Sequence, residues 1–292
     1  MKRIKILIIL VILISGCTTE VEINQPAYNR KVAVDGWIEA GDYARIYLTF
    51  SSPYLTQYDS ASIRASFLNY AKVTLLNSRG DSEILTLFKD ATYFPPFVYR
   101  SVSMKGEVGE TYRLRIETLE HVITSSTTIP KIPTENRVFL DLKTDSSGIA
   151  KAEFSPDLQN VTYLYLQIKS LKADINFHPC LPQLFSMPPS ASSCDVQLNR
   201  TYEGNILSTN KVAKFYDNWP LRQYALSDTL FVKIGSIDKQ SFEVLNSIFT
   251  DQNNKNNPVA FNGNVLKTNI EGGIGHWTGV GLAPIQAIYS KK

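Results

Sequence analysis

Apolar and polar residues alternate with a period of two through much of residues 31–129. The alternation is regular at positions 45–50, which read RIYLTF, and at positions 112–117, which read YRLRIE. A period of two places successive side chains on opposite faces of a strand, so each strand has one buried face and one solvated face. About six or seven such strands in this stretch predict an immunoglobulin-like β-sandwich over residues 31–130.

A second β-rich domain is predicted over residues 131–292. The motif Pro130-Lys131-Ile132-Pro133 marks the predicted boundary, because each proline fixes φ and disfavours helix in the residue before it. The predicted fold class is therefore mostly β, with an immunoglobulin-like sandwich followed by a β-sandwich-like domain that carries one helix. Strand-like segments of the second domain lie at 138–142, 150–154, 163–173 and 230–234.

The helix is predicted from residue 239 to about residue 250. Asp238 is a suitable N-cap, because its carboxylate can accept hydrogen bonds from the free amides of the first turn. Ile237 before the cap and Phe242 after it form a hydrophobic staple. One face of the helix should pack against a sheet, and its apolar residues are Phe242, Leu245, Ile248 and Phe249.

The first sixteen residues have the layout of a secretory signal peptide. Three basic residues precede an unbroken apolar run at 6–14, which is too short to span a bilayer. The motif Ile14-Ser15-Gly16-Cys17 resembles the lipobox of bacterial lipoproteins. The resemblance implies cleavage before Cys17, whose sulfur then carries acyl chains such as palmitate that hold the protein at a membrane. An ordinary cleaved signal and a transmembrane anchor are the alternatives, and residues 17–30 are predicted to form a polar tether.

The charge balance argues against a nucleic-acid partner. The formal net charge is +3, from 30 basic and 27 acidic residues. The signal peptide holds three of the basic residues and none of the acidic ones, so the mature chain is neutral. A nucleic-acid-binding domain would keep a basic surplus to neutralise phosphates.

Two cysteines remain after Cys17 is assigned to lipid. Export takes Cys180 and Cys194 to an oxidising compartment, so we expect a disulfide between them. The metal alternative adds His178 to the two thiols. It is disfavoured because the segment has neither a CxxC nor an HxxxH spacing.

No motif for catalysis is present. The chain has no GxSxG, HExxH or GxGxxG sequence, and His121, His178 and His276 are scattered singly. We therefore expect no enzyme activity, no cofactor and no metal. One alternative is a hydrolase in which His178 or His276 meets a carboxylate and a hydroxyl in a pocket. Another is a calcium site, although the DxDxDG spacing is missing, and its candidate ligands are Asp141, Asp145, Glu153 and Asp157.

An aromatic loop at residues 93–99, with the sequence YFPPFVY, is the strongest candidate for ligand or partner binding. Prolines can hold aromatic rings outward with little loss of entropy on contact. The alternative is that the loop packs as a corner between strands. Residues 179–193 form a second candidate surface. The residues of the aromatic loop that we expect to contact a ligand or partner are Tyr93, Phe94, Phe97 and Tyr99.

Three groups of motifs resemble the Bacteroidota lipoprotein family known as domain of unknown function 4249. The first is the lipobox followed by residues 20–23, which read EVEI, and by residues 31–38, which read KVAVDGWI. The second joins AKVTL at 71–75 to KGEVGETYRL at 105–114. The third is the late helix followed by Asn257-Pro258-Val259, Gly263-Asn264-Val265 and Gly273-Ile274-Gly275-His276-Trp277.

The resemblance implies an outer-membrane lipoprotein and partnership with a TonB-dependent transporter, without an assigned catalytic residue. The chain departs from the family at Gly275-His276-Trp277, where the usual sequence is Gly-Tyr-Phe. Glu20 and Glu22 near the lipidated cysteine favour the cell surface, with the periplasmic face as the alternative. A structural or adhesive role at the cell surface is a further alternative function.

Overall fold

The computed structural model describes residues 28–52, 59–133, 136–142, 144–145, 147–154, 163–179, 195–198, 223–254 and 266–289. The chain forms two compact units, residues 1–30 and residues 31–292. All the strands and helices described below belong to the second unit.

The second unit is mostly β and sandwich-like, as the sequence predicts. Its two helices in the described residues are α1 (Ser60–Ala65) and α2 (Lys239–Asn254). The strands are β1 (Val32–Glu39), β2 (Tyr43–Phe50), β3 (Lys72–Asn77), β4 (Ser82–Ile84), β5 (Thr86–Lys89), β6 (Phe97–Lys105), β7 (Thr111–Glu117), β8 (Val122–Thr128), β9 (Asn136–Leu142), β10 (Ser147–Phe154), β11 (Tyr163–Ser170), β12 (His178–Pro179), β13 (Asp195–Leu198), β14 (Gln223–Ala225), β15 (Leu230–Ile237), β16 (Ile274–Leu282) and β17 (Gln286–Ile288).

The described strands form three sheets. The large sheet has the order β12-β11-β15-β16-β1-β2-β6-β5, and β17 pairs with β15. The small sheet has the order β4-β3-β7-β8. A third sheet joins β13, β10 and β14, with β9 paired to β10.

The main core lies between the inner faces of the large and the small sheet. Alternate residues of strands such as β1, β3 and β7 enter it, which is what the period of two requires. The solvated positions between them carry polar and charged side chains, such as Arg113 and Arg115 on β7. Fully buried members of this core include Ile38, Ile46, Leu48, Leu75, Leu114, Ile116 and Trp277.

Strand pairing crosses residue 130, where the sequence predicts a domain boundary. Strand β16 pairs in parallel with β1, from Ala33 opposite Ile274 to Glu39 opposite Val280. Residues 31–292 consequently form one compact unit. Alternation reveals which residues are strands but carries no information about their partners, and a parallel partner must come from a distant segment.

Trp277 inserts the C-terminal segment into the main core. Its side chain is fully buried, and its Nε1–H donates to the carbonyl oxygen of Tyr112 at 3.0 Å. The side chain of Asn269 completes the pairing of this part of β16: its Oδ1 accepts from the Trp277 N–H at 2.9 Å and its Nδ2 donates to the Trp277 carbonyl at 2.7 Å. Both backbone groups of Trp277 are therefore satisfied by a side chain rather than by a strand.

Helix α2 begins at the predicted residue and runs four residues beyond the predicted end. The Oδ1 atom of Asp238 accepts from the N–H of Ser241 at 2.6 Å, which is the expected N-cap contact. Phe242 stacks on Tyr163 with ring centroids 5.1 Å apart. Leu245 packs with Val280 of β16, so the predicted apolar face does cover a sheet. The short helix α1 has no buried residue, and it therefore leaves no apolar periodicity in the sequence.

The carboxylate of Glu83 ties β4 to the bend within β6. It accepts from the N–H groups of Val102 at 2.6 Å and Met104 at 2.7 Å, and from the hydroxyl of Ser103 at 2.8 Å. Partial burial alone would raise the pKa of Glu83. These hydrogen bonds outweigh it and hold the pKa below its ordinary value of 4.5.

Replacing Glu83 with glutamine should lower the free energy of unfolding by about 1–3 kcal/mol at neutral pH. Because the folded-state pKa is depressed, the stabilising contribution is present above pH 4.5 and disappears as the pH falls through the folded pKa. Urea unfolding at several pH values measures this difference. The exposed Glu120→Gln is the control, with an expected change within about 0.5 kcal/mol. An equal effect of both substitutions would contradict the prediction.

Candidate functional site

The loop between β5 and β6 is closed by its first residue, Asp90. The N–H of Asp90 donates to the carbonyl of Pro96 at 2.9 Å, and the Asp90 carboxylate accepts from the N–H of Thr92 at 3.0 Å. The Thr92 hydroxyl also donates to this carboxylate and holds the pKa of Asp90 below its usual range. The Phe94–Pro95 peptide bond in the loop is cis. These contacts define a fixed loop conformation.

The structure separates the four aromatic residues for which the sequence predicts a common role. Tyr99 lies in the main core with 3% of its side chain exposed, and its hydroxyl accepts from the N–H of Ala71 at 2.9 Å. Phe94 is 70% exposed. Phe94 and Phe97 both contact the ring of Phe67 edge-on, with centroids 5.4 and 6.0 Å away. The reason is strand phase: Tyr99 occupies an inward position of β6, whereas Phe94 lies in the loop before it.

Tyr93 belongs to a group of contacting rings on the outer side of the large sheet. Its ring lies 5.3 Å from that of Tyr47, which lies 5.7 Å from that of Trp37. We name these three residues the aromatic face. Burial raises the pKa of Tyr47 and of Tyr93, so both phenols are neutral at physiological pH.

An ion pair lies beside the aromatic face. Lys233 of β15 contacts the carboxylate of Glu39 at 2.9 Å, and both side chains are largely buried. The Nζ atom of Lys233 also lies 4.9 Å from the centre of the Phe177 ring. The segment that carries Phe177 is joined to the aromatic loop, because Nδ2 of Asn176 donates to the carbonyl of Thr92 at 2.7 Å. The face is thus held by two strands and two loops.

His276 meets a carboxylate and a hydroxyl, which is the grouping that a dispersed hydrolase site would need. Its Nε2 lies 3.0 Å from Oδ1 of Asp35, and its Nδ1 lies 3.1 Å from Oγ1 of Thr278. The Asp35 side chain, however, is 64% exposed, while Thr278 is only 2% exposed. A nucleophilic hydroxyl must be reachable by substrate, with the orienting carboxylate behind the histidine. Here the hydroxyl is buried and the carboxylate is exposed, which is the reverse of that requirement. The group therefore serves to join β1 to β16.

A family model described as a domain of unknown function (DUF4249) matches residues 18–281. The chain belongs to the DUF4249 family. A search of curated proteins gave no match. The matched range contains the aromatic face, the Lys233–Glu39 ion pair, the His276–Asp35 contact and nearly all of β16. The arrangement described above therefore lies within the DUF4249 region of the chain.

Several predicted residues of this DUF4249 protein lie elsewhere. His121 is 4.0 Å from the exposed carboxylate of Glu120, and His178 lies in the two-residue strand β12. No group of three or more His, Cys, Asp or Glu that could hold a metal ion occurs in the described residues.

Neither described helix is long and apolar enough to cross a bilayer. Outside the described residues lie Cys17, Asp157, Cys180, Cys194 and the segment 180–193.

The sequence interpretation missed Trp37, Tyr47, Glu39 and Lys233 as parts of one surface. A usable signal was present, because Trp37 and Tyr47 occupy the outward phase of strands whose inward phase is fully apolar. Large aromatic residues at such positions indicate that something covers the outer face of the sheet. The partner of Lys233 could not be inferred, since 194 residues separate it from Glu39.

Proposed function

We propose that this DUF4249 protein is a lipid-anchored, non-enzymatic binding protein of the cell envelope that assists a TonB-dependent outer-membrane transporter in nutrient uptake. The aromatic face is the observation that carries the proposal. The buried ring of Tyr47 contacts the partly exposed rings of Trp37 and Tyr93 on the outer side of the large sheet. The Lys233–Glu39 ion pair and the His276–Asp35 contact lie beside them. Rings that are already ordered provide contact area with little further loss of entropy.

Phe94 extends this surface beyond the sheet. It follows Tyr93 directly, and its ring is supported edge-on by Phe67 while most of its side chain is exposed. An exposed aromatic ring beside ordered ones is typical of the anchor residues that dominate protein interfaces. We therefore place the contact with the transporter, or with the ligand it imports, at Tyr93 and Phe94.

The membrane attachment in this proposal is lipid on Cys17. The lipobox motif and the resemblance to Bacteroidota lipoproteins support it. We propose the outer membrane as the location, with the protein on the cell surface rather than on the periplasmic face. A disulfide between Cys180 and Cys194 would restrain the proline-containing segment between them.

Co-purification tests this function. The full chain is isolated from detergent-solubilised outer membranes, and its partners are identified by mass spectrometry. We expect a TonB-dependent transporter in the complex, and Phe94→Ala should sharply reduce its recovery without changing the melting temperature. Leu119→Ala is the matched control, because Leu119 is a fully exposed apolar residue in the turn between β7 and β8.

Repeated isolation of a solitary protein would count against the transporter partnership. Unchanged recovery of the transporter with Phe94→Ala would mean that the contact lies outside the aromatic loop. The rival hypothesis is a structural or adhesive protein, which would bind host or matrix polymers without any growth defect on a particular nutrient. Mass spectrometry that finds an unacylated Cys17 in the mature protein would contradict the anchor.

A further inference from the structure

A second surface of the molecule has the properties of a ligand site and shares no residue with the aromatic face. It is a groove of about 500 Å³ over the outer side of the small sheet. Its floor is formed by β3, β7 and β8, and its sides by Gln240 of α2 and by Asn269 and Glu271 before β16. The volume is in the range of small-molecule sites in proteins.

Two arginines lie at the centre of the floor. Arg113 has Leu76 on one neighbouring strand and Ser126 on the other. Arg115 lies in the same way between two threonines, Thr74 and Thr124. The two arginines occupy alternate positions of one strand, so their Cα atoms are about 7 Å apart on the same face. Each arginine therefore has a hydroxyl-bearing residue opposite it on a neighbouring strand.

Three cations, Arg113, Arg115 and Lys72, lie on this face with two carboxylates, Glu117 and Glu271. Arg115 pairs with Glu117 at 2.9 Å, and Lys72 contacts the same carboxylate at 3.6 Å. The guanidinium of Arg113 has no ion pair or hydrogen bond to any part of the chain that the structure describes, and its side chain is exposed. The Glu117 carboxylate thus serves two cations, and Arg113 keeps all five of its donors for a ligand.

The side of the groove is fixed before any ligand arrives. Glu271 and Thr124 exchange two backbone hydrogen bonds of 3.1 and 2.8 Å, and Oγ1 of Thr124 donates to the Glu271 carboxylate at 2.9 Å. The hydroxyl of Ser125 donates to the carbonyl of Asn269 at 2.7 Å. These contacts fix the side of the groove, and the described residues show no contact between the Glu271 carboxylate and Arg113, so the donors of Arg113 are free in a preformed site.

We infer that this groove binds a small organic oxyanion, with Arg113 as its main anchor. The planar fork of an arginine matches two oxygens of a carboxylate or phosphate group. Arg115 supplies a second positive charge, and the hydroxyl groups of Thr74 and Ser126 supply further donors. The inference is independent of the transporter partnership, because it rests on the opposite sheet and on other residues.

Calorimetric titration of the full chain in detergent tests the inference, with citrate and inorganic phosphate as the probes. We expect saturable binding of at least one probe, weaker at high salt. Arg113→Ala should weaken it by about tenfold or more, and Arg113→Lys by less, since lysine keeps the charge but loses the fork. Arg64→Ala removes an exposed arginine of α1 and should leave the affinity unchanged.

A second variant keeps the test decisive if Arg113→Ala proves unstable. Gln240→Glu places a negative charge at the rim of the groove, in the exposed first turn of α2, and should also weaken binding of either probe. Binding of phosphate without citrate, lost with Arg113→Ala, would support the inference and specify a phosphate group. The absence of saturable binding of both probes, or wild-type affinity in the Arg113→Ala protein, would overturn it.

Discussion

Replacing Trp277 with alanine should lower the free energy of unfolding by about 3–5 kcal/mol. The side chain is fully buried between the large and the small sheet, and the surrounding strands cannot close the space that it leaves. The substitution also removes the donor to the Tyr112 carbonyl. Because Trp277 joins the C-terminal segment to a core built mainly from residues 32–129, the loss should affect the whole compact unit.

Chemical denaturation of the wild type and the variant measures this effect. The half-buried Trp37 on the outer side of the sheet is a matched control, and Trp37→Ala should be clearly less destabilising. Trp277→Phe should fall between the wild type and Trp277→Ala, since it keeps most of the apolar volume. A single transition is expected throughout. Two separate transitions, with only one moved by Trp277→Ala, would show that residues 31–130 fold without β16.

Gly275→Ala should be at least as damaging, with a loss in the free energy of unfolding of about 4 kcal/mol or more. Gly275 has φ +106°, a conformation that L-residues rarely adopt. It also lies opposite Val34 in the parallel pair, and a Cβ atom there would overlap the Val34 carbonyl oxygen. The obstacle is backbone, so no side chain can rotate away, and β16 would have to separate from β1.

Gly109→Ala measures the energetic cost of a positive φ in the absence of steric overlap. Gly109 has φ +81°, but a Cβ atom there meets nothing within 4 Å. We therefore expect a loss of only about 1–2 kcal/mol at this position. Thermal unfolding of both variants measures the difference. Equal losses would mean that positive φ alone, and not the close approach of β16 to β1, makes glycine necessary at position 275.

The local structure was predictable from residues that are close in sequence. The period of two identified strands such as β2 and β7, and the cap at Asp238 located the start of α2 to the residue. Strand phase also accounts for the fate of the aromatic loop. Tyr99 continues the inward phase of β6 and is buried, whereas Phe94 precedes the strand and is exposed.

The candidate sites were only partly predictable, because each combines segments that are distant in sequence. Tyr93 was identified, but its partners Tyr47 and Trp37 were interpreted as ordinary strand residues. The grouping of His276 with a carboxylate was considered, yet its partner Asp35 is supplied by the parallel pairing of β1 with β16. The groove around Arg113 has a floor from three strands and a side from residues 269–271, so no single motif contains it.

By itself, the sequence determined the β-rich class, the position of most strands and the start of α2. These features depend on alternation and capping, which act over a few neighbouring residues. Only the tertiary structure decided that the last long strand completes the first sandwich, that Asp35 is exposed while Thr278 is buried, and that Arg113 has no ion pair among the described residues. Each of these depends on which distant strands become neighbours, and burial and charge pairing follow from that choice.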